Sequence, residues 1–410
     1  MAQKRVEKEC FTENGKRYII LDGKRRLLKE GESFRRSDNR FSYRITIDGT
    51  VFTKYAKTLD KLRIEEENIA RDLADGINFS KAALTFNDWH KEVMKTKARK
   101  LKPSTLAGQN SIYRLYIENS VIGRTKLNDI RTQNLKNFYN ALIDESEHGL
   151  SYATIMQVHA VISYDLEIAT QNDYIRRNYA HGAISDLPKE QKKMIPLTLE
   201  QIPLLLNFCE QSAVFSKHIP LLVFMLNTGV RISELAGLCW QDVDFEKRTI
   251  AIKRQLMYRR FTDEKRWKFH LQTPKSKSGV RTIFLLPGAL QVLENLRKER
   301  QCKPVMVEGQ ALDLIFRTRT GGALTASKVN DVLYRLEKSY NEQAVEPLPH
   351  LSCHLLRHAC ITALARLGVD EKVRQSIAGH STPIMTDHYT HTDEDITFQK
   401  QELQGIRICG

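Results

Sequence analysis

Asn227-Thr-Gly-Val-Arg-Ile-Ser-Glu-Leu235 reads as a sharp turn between two helices. Gly229 marks the turn, and Ser233, Glu234, Leu235 and Leu238 continue the second helix, whose apolar side anchors it. An arginine just after such a turn, Arg231, is held rigidly enough to fork onto two phosphate oxygens. Downstream, His354-Leu-Leu-Arg-His358 places His354, Arg357 and His358 on one helix face, since residues three and four apart are neighbours there. Leu355 and Leu356 then face the core. A third stretch, Ala378-Gly-His-Ser-Thr-Pro-Ile-Met-Thr-Asp-His-Tyr-Thr-His391, adds His380 and Tyr389. Two arginines, several histidines and a tyrosine in this order suit attack on a phosphodiester without a metal. His-x-x-x-His is also the spacing of a zinc pair, but no glutamate follows the first histidine, so the metalloprotease pattern is absent.

The bulk properties agree with a polyanionic substrate. The chain has 410 residues, too many for one core, and a formal net charge of +15. A protein this basic meets nucleic acid more often than not, because each phosphate it neutralises releases condensed counterions. No stretch reaches eighteen apolar residues and the N-terminus has no apolar leader, so neither membrane insertion nor secretion is expected. Seven scattered cysteines without a Cys-x-x-Cys pair fit free thiols in a reducing cytoplasm.

Along the chain, residues 1–80 are dense in Lys and Arg and carry the hairpin signals Asn14-Gly15, Asp22-Gly23 and Asp48-Gly49. Phe41, Tyr43, Ile45 and Ile47 alternate with Ser42, Arg44 and Thr46, and Val51, Thr53 and Tyr55 with Phe52 and Lys54. Thr58 then caps a helix bearing Leu59, Leu62, Ile69 and Leu73. The expectation is a three-stranded sheet covered on one face by a helix, with Arg44 and Lys54 on the side that enters a DNA groove. Residues 81–180 read as all-helical. A basic cluster there, including Lys95, Lys100 and Lys102, is placed for backbone phosphates. Residues 181–197 read as a linker. From 198 to 395 a unit of helices interrupted by strands near 249–258 and 282–286 follows, and 396–410 form a tail expected to dock on a neighbouring subunit.

These motifs in this order resemble the tyrosine recombinases of the phage-integrase type, and more narrowly the integrases of conjugative transposons of Gram-positive bacteria. The family pattern is an Arg in a Thr-Gly-x-Arg-x-Ser-Glu-Leu context, a β-hairpin Lys, His-x-Leu-Arg-His, Leu-Gly-His-Ser and a final Tyr. Arg231, His354, Arg357, His380 and Tyr389 match it, with Ala378 standing where the family usually has Leu. For the lysine, Thr273-Pro-Lys-Ser-Lys-Ser-Gly-Val-Arg281 offers Lys275 and Lys277. Lys277, at the hairpin tip, fits best, which leaves Lys275 and Arg281 as phosphate contacts or plain hairpin charges. The implied fold is multidomain and mainly α with β: a small three-stranded sheet plus helix that binds arm sites, an all-α core-site-binding domain, and an α+β catalytic domain.

The resemblance implies that Arg231 and Arg357 clamp the phosphate, with His354 and His380 completing the cradle. Tyr389 would be the nucleophile and Lys277 the acid toward the departing oxygen, while Glu234 and His358 support them. It implies no metal and no cofactor. Double-stranded DNA with core and arm sites, three further copies of the chain, and a DNA-bending accessory or excision factor are the implied partners, on the nucleoid in a bacterial cytoplasm. The rivals are a type IB-like topoisomerase and a catalytically silent DNA-binding regulator of the same fold. A metal-dependent nuclease is disfavoured by the lack of an evident carboxylate cluster.

Overall fold

A computed structural model describes residues 10–47, 49–82, 84–144, 150–189, 195–261, 264–274, 277–300, 303–379 and 393–409. The chain divides into two compact units, residues 1–192 and 193–410.

The first unit opens with two sheets rather than one. β1 (Cys10–Glu13), β2 (Lys16–Leu21) and β3 (Lys24–Leu27) form an antiparallel meander that the sequence reading did not separate out. Its two turns are Asn14-Gly15 and Asp22-Gly23, all four residues at positive φ, as a two-residue turn matching strand twist requires. β4 (Glu32–Arg35), β5 (Arg40–Ile47) and β6 (Thr50–Ala56) make the expected three-stranded sheet, with Phe41 opposite Ala56 and Ile45 opposite Phe52. α1 (Leu59–Ala74) starts at Thr58, whose hydroxyl accepts from the Lys61 N–H, and buries Leu59, Leu62 and Ile69. Ile19 of the meander joins Phe41, Leu59 and Leu62 in one core, so the extra strands extend the same hydrophobic layer.

Helices α2 (Phe86–Lys97), α3 (Pro103–Ile112), α4 (Thr132–Asp144) and α5 (Tyr152–Gln171) follow. Phe86, Trp89, Val93, Leu135, Tyr139, Ile155, Val158 and Ile162 are all buried in their common core, so the periodic aromatics are packing residues. Ser151 caps α5 by accepting from the Thr154 N–H. Ala183 and Leu187 also lie in this core. The first part of the stretch expected as a linker, 181–197, thus packs in this core, because its apolar residues still have a core to fill.

The second unit has the site at its centre. Its main elements are α6 (Gln201–Gln211), α7 (Ile219–Thr228), α8 (Ile232–Ala236), β7 (Thr249–Ile252), β8 (Gln255–Arg259), β9 (Lys268–Gln272), β10 (Arg281–Phe284), α9 (Pro287–Lys298), α10 (Ala326–Asn341), α11 (Cys353–Arg366), α12 (Glu371–Ala378) and α13 (Asp393–Leu403). β7 pairs with β10, Ile252 opposite Arg281, and β8 pairs with β9. α7 packs on α9 and α11, and one large core gathers Phe224, Leu226, Leu235, Ile283, Leu355 and Leu356. The thiols of Cys353 and Cys360 sit in that core, and burial pushes both up to about 12, so they are inert packing groups.

Residues 396–410, expected to dock on a neighbouring subunit, pack on their own unit in the lone chain where they are described. Leu403 and Ile408 are buried, Gln399 accepts from the Phe284 N–H at 3.1 Å, and the Cys409 carbonyl accepts from Asn227 at 2.9 Å. The apolar residues spaced along the tail find a hydrophobic surface within the same chain. Among the described residues no helix is long and apolar enough to cross a membrane.

Gly229 ends α7 at φ +58°, and a Cβ there would lie 3.3 Å from the Cys360 sulfur. Gly229→Ala combines a left-handed backbone with a tight contact and should cost about 1–3 kcal/mol. Differential scanning calorimetry should show the unfolding midpoint of the second unit falling by roughly 3–8 °C; an unchanged midpoint contradicts the assignment.

Candidate active site

The site is a circuit of charged side chains and helix ends. Glu234, at the third position of α8, is fully buried. One carboxylate oxygen accepts the Arg231 N–H at 2.9 Å and the other accepts the Arg231 guanidinium at 2.9 Å. Both oxygens also accept from Arg281, at 2.9 and 3.2 Å. Burial alone would raise the Glu234 carboxyl. Its hydrogen bond to Arg281, the charge of that residue and the Arg231 contacts instead hold it below the usual carboxylate range.

Arg357 is tied differently. Ser352 caps α11, and the helix turns Cys353, Leu355 and Leu356 inward together with Arg357. The Arg357 guanidinium donates to the Gly229 carbonyl at 2.6 Å and to the Ala378 carbonyl. Those carbonyls lie at the C-terminal ends of α7 and α12, each closed by a left-handed glycine, Gly229 and Gly379. Helix C-termini leave carbonyls unpaired and carry a partial negative charge, so a cation between two of them satisfies both. Burial and the charge of Arg231 lower Arg357 to about 10, which leaves it charged at neutral pH.

His354 projects from the same helix to the exposed side, its Nε2 3.0 Å from Nε2 of His358. Burial, then His358, Arg357 and Arg231, lower its pKa. Arg231 reaches solvent, with 37% of its side chain exposed, whereas Arg281 and Glu234 have none. Arg231, Arg281 and Arg357 thus gather around one carboxylate. Two positive charges remain unbalanced, and the exposed one lies beside a histidine that resists protonation. Such a site is arranged to receive an anion with several oxygens.

Two comparisons of sequence bear on what the site is. The phage integrase family model matches residues 196–395, and the model of the phage integrase N-terminal SAM-like domain matches residues 85–143. Together they span well over half of the chain, and the first contains Arg231, His354, Arg357, His380 and Tyr389. The chain belongs to the phage integrase family of tyrosine recombinases. The recombinase is 29% identical over 394 residues to the transposase from transposon Tn1545 of Streptococcus pneumoniae, covering 91% of this chain and 94% of that protein. The same figures hold for the transposase from transposon Tn916 of Enterococcus faecalis. Among solved structures, the Tn1549 transposon integrase in complex with a circular intermediate DNA shares 28% identity at a TM-score of 0.66, over 78% of this chain and 94% of that one. A lambda integrase tetramer bound to a Holliday junction shares the fold at 18% identity and a TM-score of 0.54, over 88% and 98% of the two chains. The recombinase is thus an enzyme that resembles transposon integrases.

Several expected residues fall where the sequence reading did not put them. Arg281, read as a phosphate contact or hairpin charge, is buried against Glu234, because a carboxylate out of water needs that partner. Strand alternation with the buried Ile283 was the available signal. Lys54, expected at DNA, has its Nζ 2.5 Å from Asp129, so a carboxylate already neutralises it. Arg44, Lys95, Lys100 and Lys102 are exposed. Lys97, from the same basic run, is buried with its Nζ 3.4 Å above the Tyr164 ring. Tyr389, His380 and Lys275 lie outside the described residues, as does the side chain of Lys277, whose backbone forms the short turn Lys277–Gly279.

The lowered His354 value carries a sign. The unfolded chain, at about 6.5, binds that proton more readily than the folded one. Stability therefore rises as pH climbs from the lowered value towards 6.5, and His354→Gln should lose that rise. An anion seated beside Arg231 reverses the field. Histidine NMR titrations should show His354 moving upward in saturating sulfate, and a value that stays put contradicts an anion site here.

Proposed function

We propose that the recombinase cuts and rejoins duplex DNA through a 3′-phosphotyrosyl intermediate, integrating and excising a mobile element. The observation that carries this reading is the excess of fixed guanidinium charge around Glu234, opening to solvent at Arg231 beside His354. A phosphodiester is already anionic and gains charge on its non-bridging oxygens in the transition state. Preorganised donors aimed there are the largest catalytic term.

In this reading Arg231 and Arg357 hold the non-bridging oxygens, and His354 and His380 complete the cradle. The Tyr389 hydroxyl oxygen bonds to phosphorus while the bond to the 5′ oxygen breaks. The tyrosine proton passes to His354, and Lys277 protonates the departing 5′ oxygen. The bond energy of the phosphodiester is kept in the tyrosyl link, so the 5′-hydroxyl of another strand reverses the step without ATP. Two such exchanges pass through a Holliday junction, with four subunits on the DNA and a DNA-bending accessory or excision factor setting direction.

Residues 1–80 would contact arm sites through Arg44, and residues 81–180 would grip the core site through Lys95, Lys100 and Lys102. The Tn1549 transposon integrase, which the recombinase resembles, was solved in complex with transposon right end DNA and with circular intermediate DNA. A junction between a mobile element and its flank is accordingly the substrate assigned here.

A suicide duplex carrying the core site tests this. With EDTA present, the wild-type protein should give a covalent adduct that survives a denaturing gel, and Tyr389→Phe should give none. Arg231→Lys should slow cleavage by about a hundredfold or more. An adduct that requires Mg²⁺, or that survives Tyr389→Phe, overturns the reading.

A further inference from the structure

One buried group stands at the junction of three segments that each lead to a proposed catalytic side chain. The Arg281 guanidinium lies at the start of β10. Its Nη1 and Nη2 donate to the two oxygens of Glu234, the residue that holds Arg231 by backbone and side chain together. Its Nε donates to the Ile377 carbonyl at 2.8 Å, in the last turn of α12, three residues before His380. Nη1 also donates to the Gly279 carbonyl at 3.0 Å, closing the turn that begins at Lys277. Four of the five donors of this planar fork are thereby used on three separate pieces of chain. A Cβ at Gly379 would come within 3.0 Å of Nη1 and 3.1 Å of the Ser278 carbonyl, so the approach of α12 to the lysine turn is closed around the same guanidinium.

We propose that Arg281 is a positioning residue for strand cleavage, setting Arg231, the Lys277 turn and the approach to His380 in register through Glu234, Gly279 and Ile377. This rests on the phosphoryl-transfer reading above. Arg281 is fully buried in the described structure, so it acts through the groups it holds and not on the DNA. Lysine keeps the charge but has three donors on a tetrahedral nitrogen, which cannot span a carboxylate and two carbonyls in this geometry.

The experiment measures single-turnover cleavage of the suicide duplex at saturating protein, core-site affinity and thermal midpoint, for wild type, Arg281→Lys, Arg231→Lys and the double variant. At a temperature where every variant is folded, Arg281→Lys should bind the core site within about threefold of wild type. It should cleave at least about fiftyfold more slowly. On the Arg231→Lys background the same change should cost clearly less than it does in the wild type, because one of the three groups it positions is already altered. Losses that multiply in the double variant, or cleavage by Arg281→Lys within threefold of wild type, overturn the proposal. If Arg281→Lys does not fold, Glu234→Gln, which keeps the shape and removes the charge, takes its place in the same cycle. Should both fail to fold, the circuit is a folding requirement and the positioning role is rejected. Failure of the underlying reading looks different: wild type itself would then give no adduct.

Discussion

A carboxylate with no exposed surface must be paired, and the pairing of Glu234 organises the catalytic unit. Its two oxygens take four donors, from the backbone and side chain of Arg231 and from Arg281. Each arginine supplies part of the pairing that this buried charge needs, so the turn after α7, the start of α8 and the start of β10 are bound to one another through it. Arg357 closes the circuit from the other side. It joins the end of α7 to the end of α12, whose last turn is also held by Arg281 at Ile377.

The same circuit accounts for the chemistry. Three guanidiniums and one carboxylate leave two charges in excess, and the Gly229 and Ala378 carbonyls at the two helix ends point at the buried Arg357. The unspent charge is therefore expressed at Arg231, where the surface opens. Helix C-termini usually repel anions, but here their carbonyls are occupied by an arginine and the site shows a net positive face. Burial first, and then His358 and the arginines of that face, depress the His354 pKa, which keeps its imidazole neutral and able to accept a proton at neutral pH.

Much of this was legible in the sequence because the motif residues are local. Thr228-Gly229-Val230-Arg231 encodes a helix end and an extended residue, and His354, Arg357 and His358 are spaced by the turn of one helix. The hairpins announced themselves through Asn-Gly and Asp-Gly pairs. What the sequence hid depends on contacts distant along the chain. Arg281 lies 47 residues from Glu234, and a charged residue on a short strand carries no mark of the partner that will bury it. Lys54 and Asp129 meet across 75 residues. The tail shows the same limit: its apolar spacing says that a surface covers it, but not which one, and in the lone chain the core around Phe284 and Asn227 supplies one. The first meander was missed because its exposed face mixes Phe11, Ile20 and Leu27 with Lys16 and Arg25, which blurs the alternation.

The central claim is that this charge circuit serves a covalent attack by one tyrosine. The most direct measurement is peptide mapping, by mass spectrometry, of the protein trapped on a suicide duplex and digested with nuclease and protease. The account predicts a nucleotide joined through its 3′ phosphate to Tyr389. Attachment to any other residue, linkage through a 5′ phosphate, or no covalent nucleotide at all would contradict it.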